Sequence, residues 1–233
     1  LHMVHSIIAC GFLMVLSNVI VRAAYRYAVS HDVLDTPNHR SSHTIPTPRG
    51  GGLSIVVTSL AVVFVLIVSH RLPVKTGFAL MLGGGAVALV GWLDDKHHLG
   101  VRLRFAVHLA SAVWALAMLG GLPSMRIGSA TLTSPVTLSC LAVVGIVWSV
   151  NLFNFMDGID GLAAGEAIIV SIAGGLIMMR GEGSLLFYLL FILAGLVGGF
   201  IVWNWSPAKV FMGDVGSGFL GFVFAVLAFA GER

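Results

Sequence analysis

The sequence predicts an all-α polytopic membrane protein with about eight transmembrane helices and an active site at the cytoplasmic face. Three observations carry that prediction. The 233 residues are 58% hydrophobic and only 10% charged, far below the roughly one quarter charged of a soluble domain. The apolar residues fall into runs long enough to cross a bilayer, joined by short polar connections. Every Asp falls in a connection, or at a helix end, on the same side of the alternating topology.

The expected spans are 3–27, 51–69, 76–93, 103–119, 136–153, 161–179, 184–204 and 214–231. The first is longer than the roughly 7–15 residues of a signal-peptide core and lacks a cleavage site, so it reads as a span. Alternation then puts the connections near 28–50, 94–102, 154–160 and 204–213 on one side. That side carries Arg22, Arg26, Arg40, Arg49, Lys96, Arg102, Arg104 and Lys209, which makes it cytoplasmic by the positive-inside rule. Residues 1–233 read as a single integral-membrane domain. Cys10 and Cys140 sit within apolar runs, where a disulfide is not expected. The formal net charge of +3 is not a nucleic-acid signal in such a chain, and no nucleic-acid partner is expected.

The cytoplasmic side also holds Asp32, Asp35, Asp94, Asp95, Asp157, Asp160 and Asp214. Basic residues there follow from topology alone. Clustered carboxylates do not, because they repel at a low-dielectric boundary unless a cation joins them. Asp94 and Asp95 close the third span in Gly91-Trp-Leu-Asp-Asp-Lys96. Asn151, Asn154, Asp157 and Asp160 recur every third position at the end of the fifth span, and Gly158 and Gly161 permit a break that would let them converge. Capping accounts for one or two of these four polar residues, not for the series. Asp214 starts the eighth span, where a cap is the plain alternative, and Asn204 ends the seventh, where an amide suits a base or a sugar. The first cytoplasmic loop, from Asp35 to Gly52, carries His39, Arg40, His43 and Arg49 before a glycine triplet; backbone N–H groups and arginines at such a junction suit a phosphate.

Hard oxygen ligands with almost no sulfur suit Mg²⁺, or Mn²⁺, with phosphate oxygens completing the shell. A site at the membrane rim lets a lipid headgroup meet a cytosolic nucleotide. Phosphoryl chemistry on a lipid is the expected class. A transporter with acids relaying ions at mid-span is the reading from another class.

These motifs, in this order, resemble the polyprenyl-phosphate N-acetylhexosamine-1-phosphate transferases. The resemblance rests on Asp94-Asp95, on Asn151-x-x-Asn-x-x-Asp-Gly-x-Asp-Gly161, and on Phe211-Met-Gly-Asp-x-Gly-Ser217. Pro37-Asn-His-Arg-Ser-Ser-His43 with Pro46-Thr-Pro-Arg-Gly-Gly-Gly52 looks more like the O-antigen initiating branch than the peptidoglycan one. The resemblance implies transfer of a sugar-1-phosphate from a UDP-sugar to a polyprenyl-phosphate lipid, with release of UMP. It implies Asp214 and Asp95 as Mg²⁺ ligands, Asp94, Asp95, Asp157 and Asp160 as catalytic residues (Asp94 a candidate base), and Asn151, Asn154, Asn204, Arg40, His43 and Arg49 as substrate-binding residues. Family members usually continue for two further spans with a His-containing cytoplasmic loop between them. A fragment, a truncated gene and an unusually short or inactive member all fit that difference. The sugar and the oligomeric state, a homodimer included, stay open at this point.

Overall fold

A computed structural model of the chain describes residues 2–31, 33–35, 45–128, 130–179 and 186–231. Its described elements, in order, are α1 (His2–Ser30), β1 (Leu34–Asp35), β2 (Thr47–Pro48), α2 (Leu53–Val68), α3 (Val74–Phe78), α4 (Gly85–His97), α5 (Val101–Leu119), β3 (Met125–Ile127), β4 (Ala130–Leu132), α6 (Pro135–Met156), α7 (Leu162–Met178), α8 (Leu186–Asn204) and α9 (Asp214–Gly231). A π-helical turn, Ala79–Gly84, joins α3 to α4 into one rod. The described residues thus form eight rods, close to the eight expected spans. Six are long and apolar enough to cross a membrane; α2 and α7, with 16 and 17 residues, are shorter apolar helices. The chain is an all-α polytopic membrane protein.

Two short antiparallel pairs lie outside the helical pattern. Leu34 and Asp35 pair with Pro48 and Thr47, and Met125–Ile127 pair with Ala130–Leu132. Both are too short to leave a period-two signal in the sequence. The π turn was equally silent: one extra residue in a turn leaves an apolar run apolar.

The rods are not equivalent. α9 packs against α2, the π turn, α4, α5, α6, α7 and α8. Two thirds of its membrane window is buried within the protein, against 22% for α1. From Val215 to Phe224 it is buried all round. This helix is the axis of the bundle, and the burial of Phe219, Leu220 and Phe222 fixes it there by the hydrophobic and packing terms that favour close contact. On the other flank, α8 lies between α1 and α7.

Chain alternation gathers the C-terminal ends of α1, α4, α6 and α8 with the N-terminal ends of α2, α5, α7 and α9 at one end of the bundle. Contacts between those ends are many. Gly51 and Gly52 donate their N–H groups to the carbonyls of Phe211 and Met212 at 3.0 and 2.9 Å, and Phe211 N–H donates to Pro48 at 2.8 Å. The segment 204–213 is thereby stitched to the start of α2.

Candidate active site

At the gathered end the first turn of α9 has backbone N–H groups with no helical acceptor. Asp95, from the last turn of α4, supplies one. Its Oδ1 accepts from Asp214 N–H at 3.0 Å and its Oδ2 from Val215 N–H at 3.2 Å. The Asp95 side chain is 3% exposed. Gly91, one turn earlier on α4, makes the approach geometrically possible: a Cβ there would land on the Asp214 carbonyl. Asp95 is therefore a cap donated by one span to another. Both oxygens of this expected metal ligand accept from backbone N–H groups of α9.

Asp94, one residue earlier, points to different neighbours. Arg104, near the start of α5, bridges the acids of two helices: its Nη1 lies 2.6 Å from Asp94 Oδ2 and 3.2 Å from Asp214 Oδ2. Asp94, not Asp95, thus faces Asp214. The structure brings Arg104 into the cluster although sequence reasoning counted it only as an orientation-setting cation. Replacing it with glutamine leaves two neighbouring carboxylates without their shared counter-charge. Because Arg104 is 30% exposed, the expected loss is about 1–2 kcal/mol of stability, seen as a lowered thermal midpoint that added divalent cation restores. A midpoint unchanged from the parent protein would show that the two ion pairs carry no stability.

The fifth-span motif divides along its length. Asn154 Oδ1 accepts from the Ser217 hydroxyl at 2.6 Å, tying α6 to α9. Asp157 ends α6, and its Oδ2 accepts from Gly213 N–H at 2.9 Å. Its Oδ1 is buried and has no partner among the described residues. Burial pushes the Asp157 carboxyl well above its ordinary pKa, opposed by the Gly213 N–H and raised further by the neighbouring Asp95 and Asp214 charges. Asp160 lies in the following turn and its Oδ2 accepts from Ala208 N–H at 3.0 Å. The expected break in this motif is present: Gly161 has φ of +72° and leads into α7. Asn151 does not join the cluster. It is exposed, and its amide donates to the Val147 carbonyl of its own helix at 2.7 Å.

Asn204, an expected substrate-binding residue, is turned inward. It is 1% exposed; its Oδ1 accepts from Gly161 N–H at 3.1 Å and its Nδ2 donates to the Val210 carbonyl at 3.1 Å. Its amide is spent on holding two loops together rather than offered to a base or sugar. Two N–H groups of the glycine triplet, those of Gly51 and Gly52, donate to protein carbonyls. Arg49 does border the site: its Nη2 lies 3.1 Å from Asp35 Oδ2 and its Nη1 4.0 Å from Asp95 Oδ1. Arg40 and His43 lie outside the described residues.

The donor set suits a hard divalent cation. Among the described residues, no three metal-ligating side chains form a closed cage. Mg²⁺ is more often held by one or two carboxylates with water and substrate phosphate, and Asp94 with Asp214 supplies such a pair. The unpartnered buried oxygen of Asp157 is a third nearby acceptor with nothing bonded to it among the described residues.

The motif-bearing region can be set against known proteins. The sequence signature of glycosyl transferase family 4 matches residues 77–232, about two thirds of the chain. The chain belongs to glycosyl transferase family 4. Within that span lie Asp94, Asp95, Arg104, Asp157, Asp160 and Asp214; Arg40, His43 and Arg49 precede it. Over 111 residues the chain is 41% identical to the phospho-N-acetylmuramoyl-pentapeptide-transferase of Streptococcus thermophilus (strain CNRZ 1066), covering 47% of this chain and 32% of that protein. Over 91 residues it is 38% identical to a probable undecaprenyl-phosphate N-acetylglucosaminyl 1-phosphate transferase of Bacillus subtilis (strain 168), covering 39% and 25%. A phospho-N-acetylmuramoyl-pentapeptide-transferase of Chlamydia muridarum is 44% identical over 92 residues, covering 38% and 27%. The matches thus span about a third or less of each relative. The names are those of a phospho-N-acetylmuramoyl-pentapeptide transferase and an undecaprenyl-phosphate N-acetylglucosaminyl 1-phosphate transferase, and the family bears out the resemblance read from the motifs. Two of these three names are of the muramoyl-pentapeptide type, and none is of the O-antigen type to which the first loop pointed.

Proposed function

We propose that this chain carries the catalytic centre of a Mg²⁺-dependent transferase that moves N-acetylhexosamine-1-phosphate from a UDP-sugar to polyprenyl phosphate. The oxygen of the lipid phosphate attacks the phosphorus attached to the sugar. The bond between the two phosphates of the donor breaks, UMP leaves with that electron pair, and polyprenyl-diphospho-sugar is formed. The observation that carries this reading is the meeting of acids from α4, the α6–α7 turn and α9 at one end of a membrane bundle, two of which, Asp94 and Asp214, share the Arg104 guanidinium. No rigid nucleophile is needed, because a phosphate monoester, with a second pKa of about 6, is already largely ionised near neutral pH.

Mg²⁺ held by Asp94 and Asp214 would neutralise charge on the transferring diphosphate. The protein's own contribution is placement. Asp95 fixes the start of α9 so that Asp214 is presented at a set position relative to α4. Asp157 does the same for Gly213, and Asp160 for the segment at Ala208. Arg104 holds the two facing carboxylates of Asp94 and Asp214 in register before a diphosphate arrives. Holding reactants in register accounts for much of the rate gain in phosphoryl transfer. The site then faces the cytoplasm of a bacterial inner membrane, and the product is the first lipid-linked intermediate of an envelope polysaccharide.

Purified protein in detergent with Mg²⁺, undecaprenyl phosphate and a panel of UDP-N-acetylhexosamines, UDP-N-acetylmuramoyl-pentapeptide included, is expected to release UMP with at least one donor. The donor that works names the sugar. Absence of UMP with every donor, in protein that remains folded, would overturn the assignment.

A further inference from the structure

Most acids of the cluster already accept from backbone groups. Asp95 accepts from Asp214 and Val215 N–H, Asp157 from Gly213 N–H and Asp160 from Ala208 N–H. Asp94 and Asp214 differ: among the described residues, their side chains meet at one atom, Arg104 Nη1. It lies 2.6 Å from Asp94 Oδ2 and 3.2 Å from Asp214 Oδ2. A cation held by those two oxygens would need the place that this nitrogen fills. Bound to either carboxylate at all, a divalent cation would stand within a few ångströms of the guanidinium, where like charges in a partly buried site repel. Arg104 and a divalent cation are therefore alternatives at this pair.

The guanidinium is also under-used. Its bonds to described residues pass through Nη1 alone. Nε is buried and has no partner among the described residues. A buried donor without an acceptor costs stability, so this arrangement leaves something for a ligand to supply. The Nε and Nη2 edge of an arginine is a planar fork that fits two phosphate oxygens. Arg49, by contrast, is tied to Asp35 at 3.1 Å and stands 4.0 Å from Asp95. With 30% of its side chain exposed, Arg104 has a solvent side to turn toward.

We infer that Arg104 is a placeholder: it gives up the carboxylates of Asp94 and Asp214 to the divalent cation and turns its Nε and Nη2 to the diphosphate of the donor. This rests on the transfer reaction proposed above and adds how its site is assembled. Without a diphosphate, the exchange strips Arg104 of both carboxylates and returns nothing. With one, the guanidinium keeps anionic partners and the buried Nε–H gains an acceptor. Cation and diphosphate therefore bind cooperatively, each tightening the other by the same factor.

Cation binding tests the exchange without turnover. Mn²⁺ is titrated into the purified protein in detergent, with and without UDP, and free Mn²⁺ is read by electron paramagnetic resonance against a protein-free blank. In the parent protein, UDP is expected to lower the half-saturating Mn²⁺ concentration about tenfold, an ordinary coupling between two sites. Arg104→Gln should bind Mn²⁺ about tenfold more tightly than the parent without UDP, because the competing charge is gone. UDP should then change that affinity by about twofold or less. Arg104→Lys, which keeps a positive charge, should stay as weak as the parent without UDP. Asp214→Asn should abolish this binding in both conditions. Equal Mn²⁺ affinity in the parent and Arg104→Gln without UDP, a full UDP effect persisting in Arg104→Gln, tight binding in Arg104→Lys, or binding that survives Asp214→Asn would overturn the proposal. The expected Mn²⁺ pattern without UMP release from any donor would count against the transfer reaction alone. UMP release from a protein whose Mn²⁺ affinity is indifferent to Arg104 would count against the exchange alone.

Discussion

Asp214→Asn is expected to lower UMP release about a hundred- to a thousandfold while leaving the helical bundle intact. The change is isosteric and spares the backbone N–H that Asp95 caps, so the start of α9 keeps its anchor. What it removes is a negative charge that faces Asp94 across Arg104. A preorganised charge in a partly desolvated site is worth roughly two to three orders of magnitude in rate. The check has two readouts: kcat for UMP release, and the thermal midpoint in detergent. A kcat within tenfold of the parent would remove Asp214 from the charge-bearing core. A collapsed midpoint would show instead that its contribution is to folding.

Gly91→Ala should be nearly as damaging by a different route. The added methyl has no chemistry, yet its position coincides with the Asp214 carbonyl and lies 2.7 Å from Val215 N. The neighbours are backbone, so no side chain can swing aside. α4 and α9 must separate, at about 1–3 kcal/mol for an overpacked core position. That shift carries Asp94 and Asp95 away from Asp214 together. A displacement near 1 Å can cost about a hundredfold in rate. The expected outcome is a moderate fall in thermal midpoint together with about a hundredfold loss of kcat. Full activity in Gly91→Ala would mean that close contact of these two helices is not required.

How much of this was legible beforehand depends on the kind of signal. The spans were readable because a bilayer imposes a length on apolar runs, and α5, α8 and α9 fall within two residues of expectation at each end. The acid rim was readable because topology accounts for lysine and arginine there but not for aspartate. The same topological account hid Arg104, a basic residue on the side where basic residues are ordinary. Asp94 and Asp95 could not be told apart, because adjacent residues on a helix differ by only about 100° in direction and the neighbouring helix decides which one is covered. The backbone partners of Asn204 left no sign in the sequence, since an amide at the end of a span looks the same whether it meets a ligand or a backbone. The bonds of Gly51 and Gly52 left no sign for a related reason: free N–H groups and N–H groups turned toward a distant loop leave identical letters.

The position of α9 as the axis of the bundle bears on biogenesis. Every described helix that leans on it is translated earlier, and Asp94 (through Arg104), Asp95, Asp157 and Asp160 all reach it or the loop just before it. Until residues beyond 214 have entered the membrane, the earlier spans surround a gap and Asp94 has nothing opposite it. A nascent chain stalled before residue 214 would therefore sit in the membrane with its acid cluster unassembled.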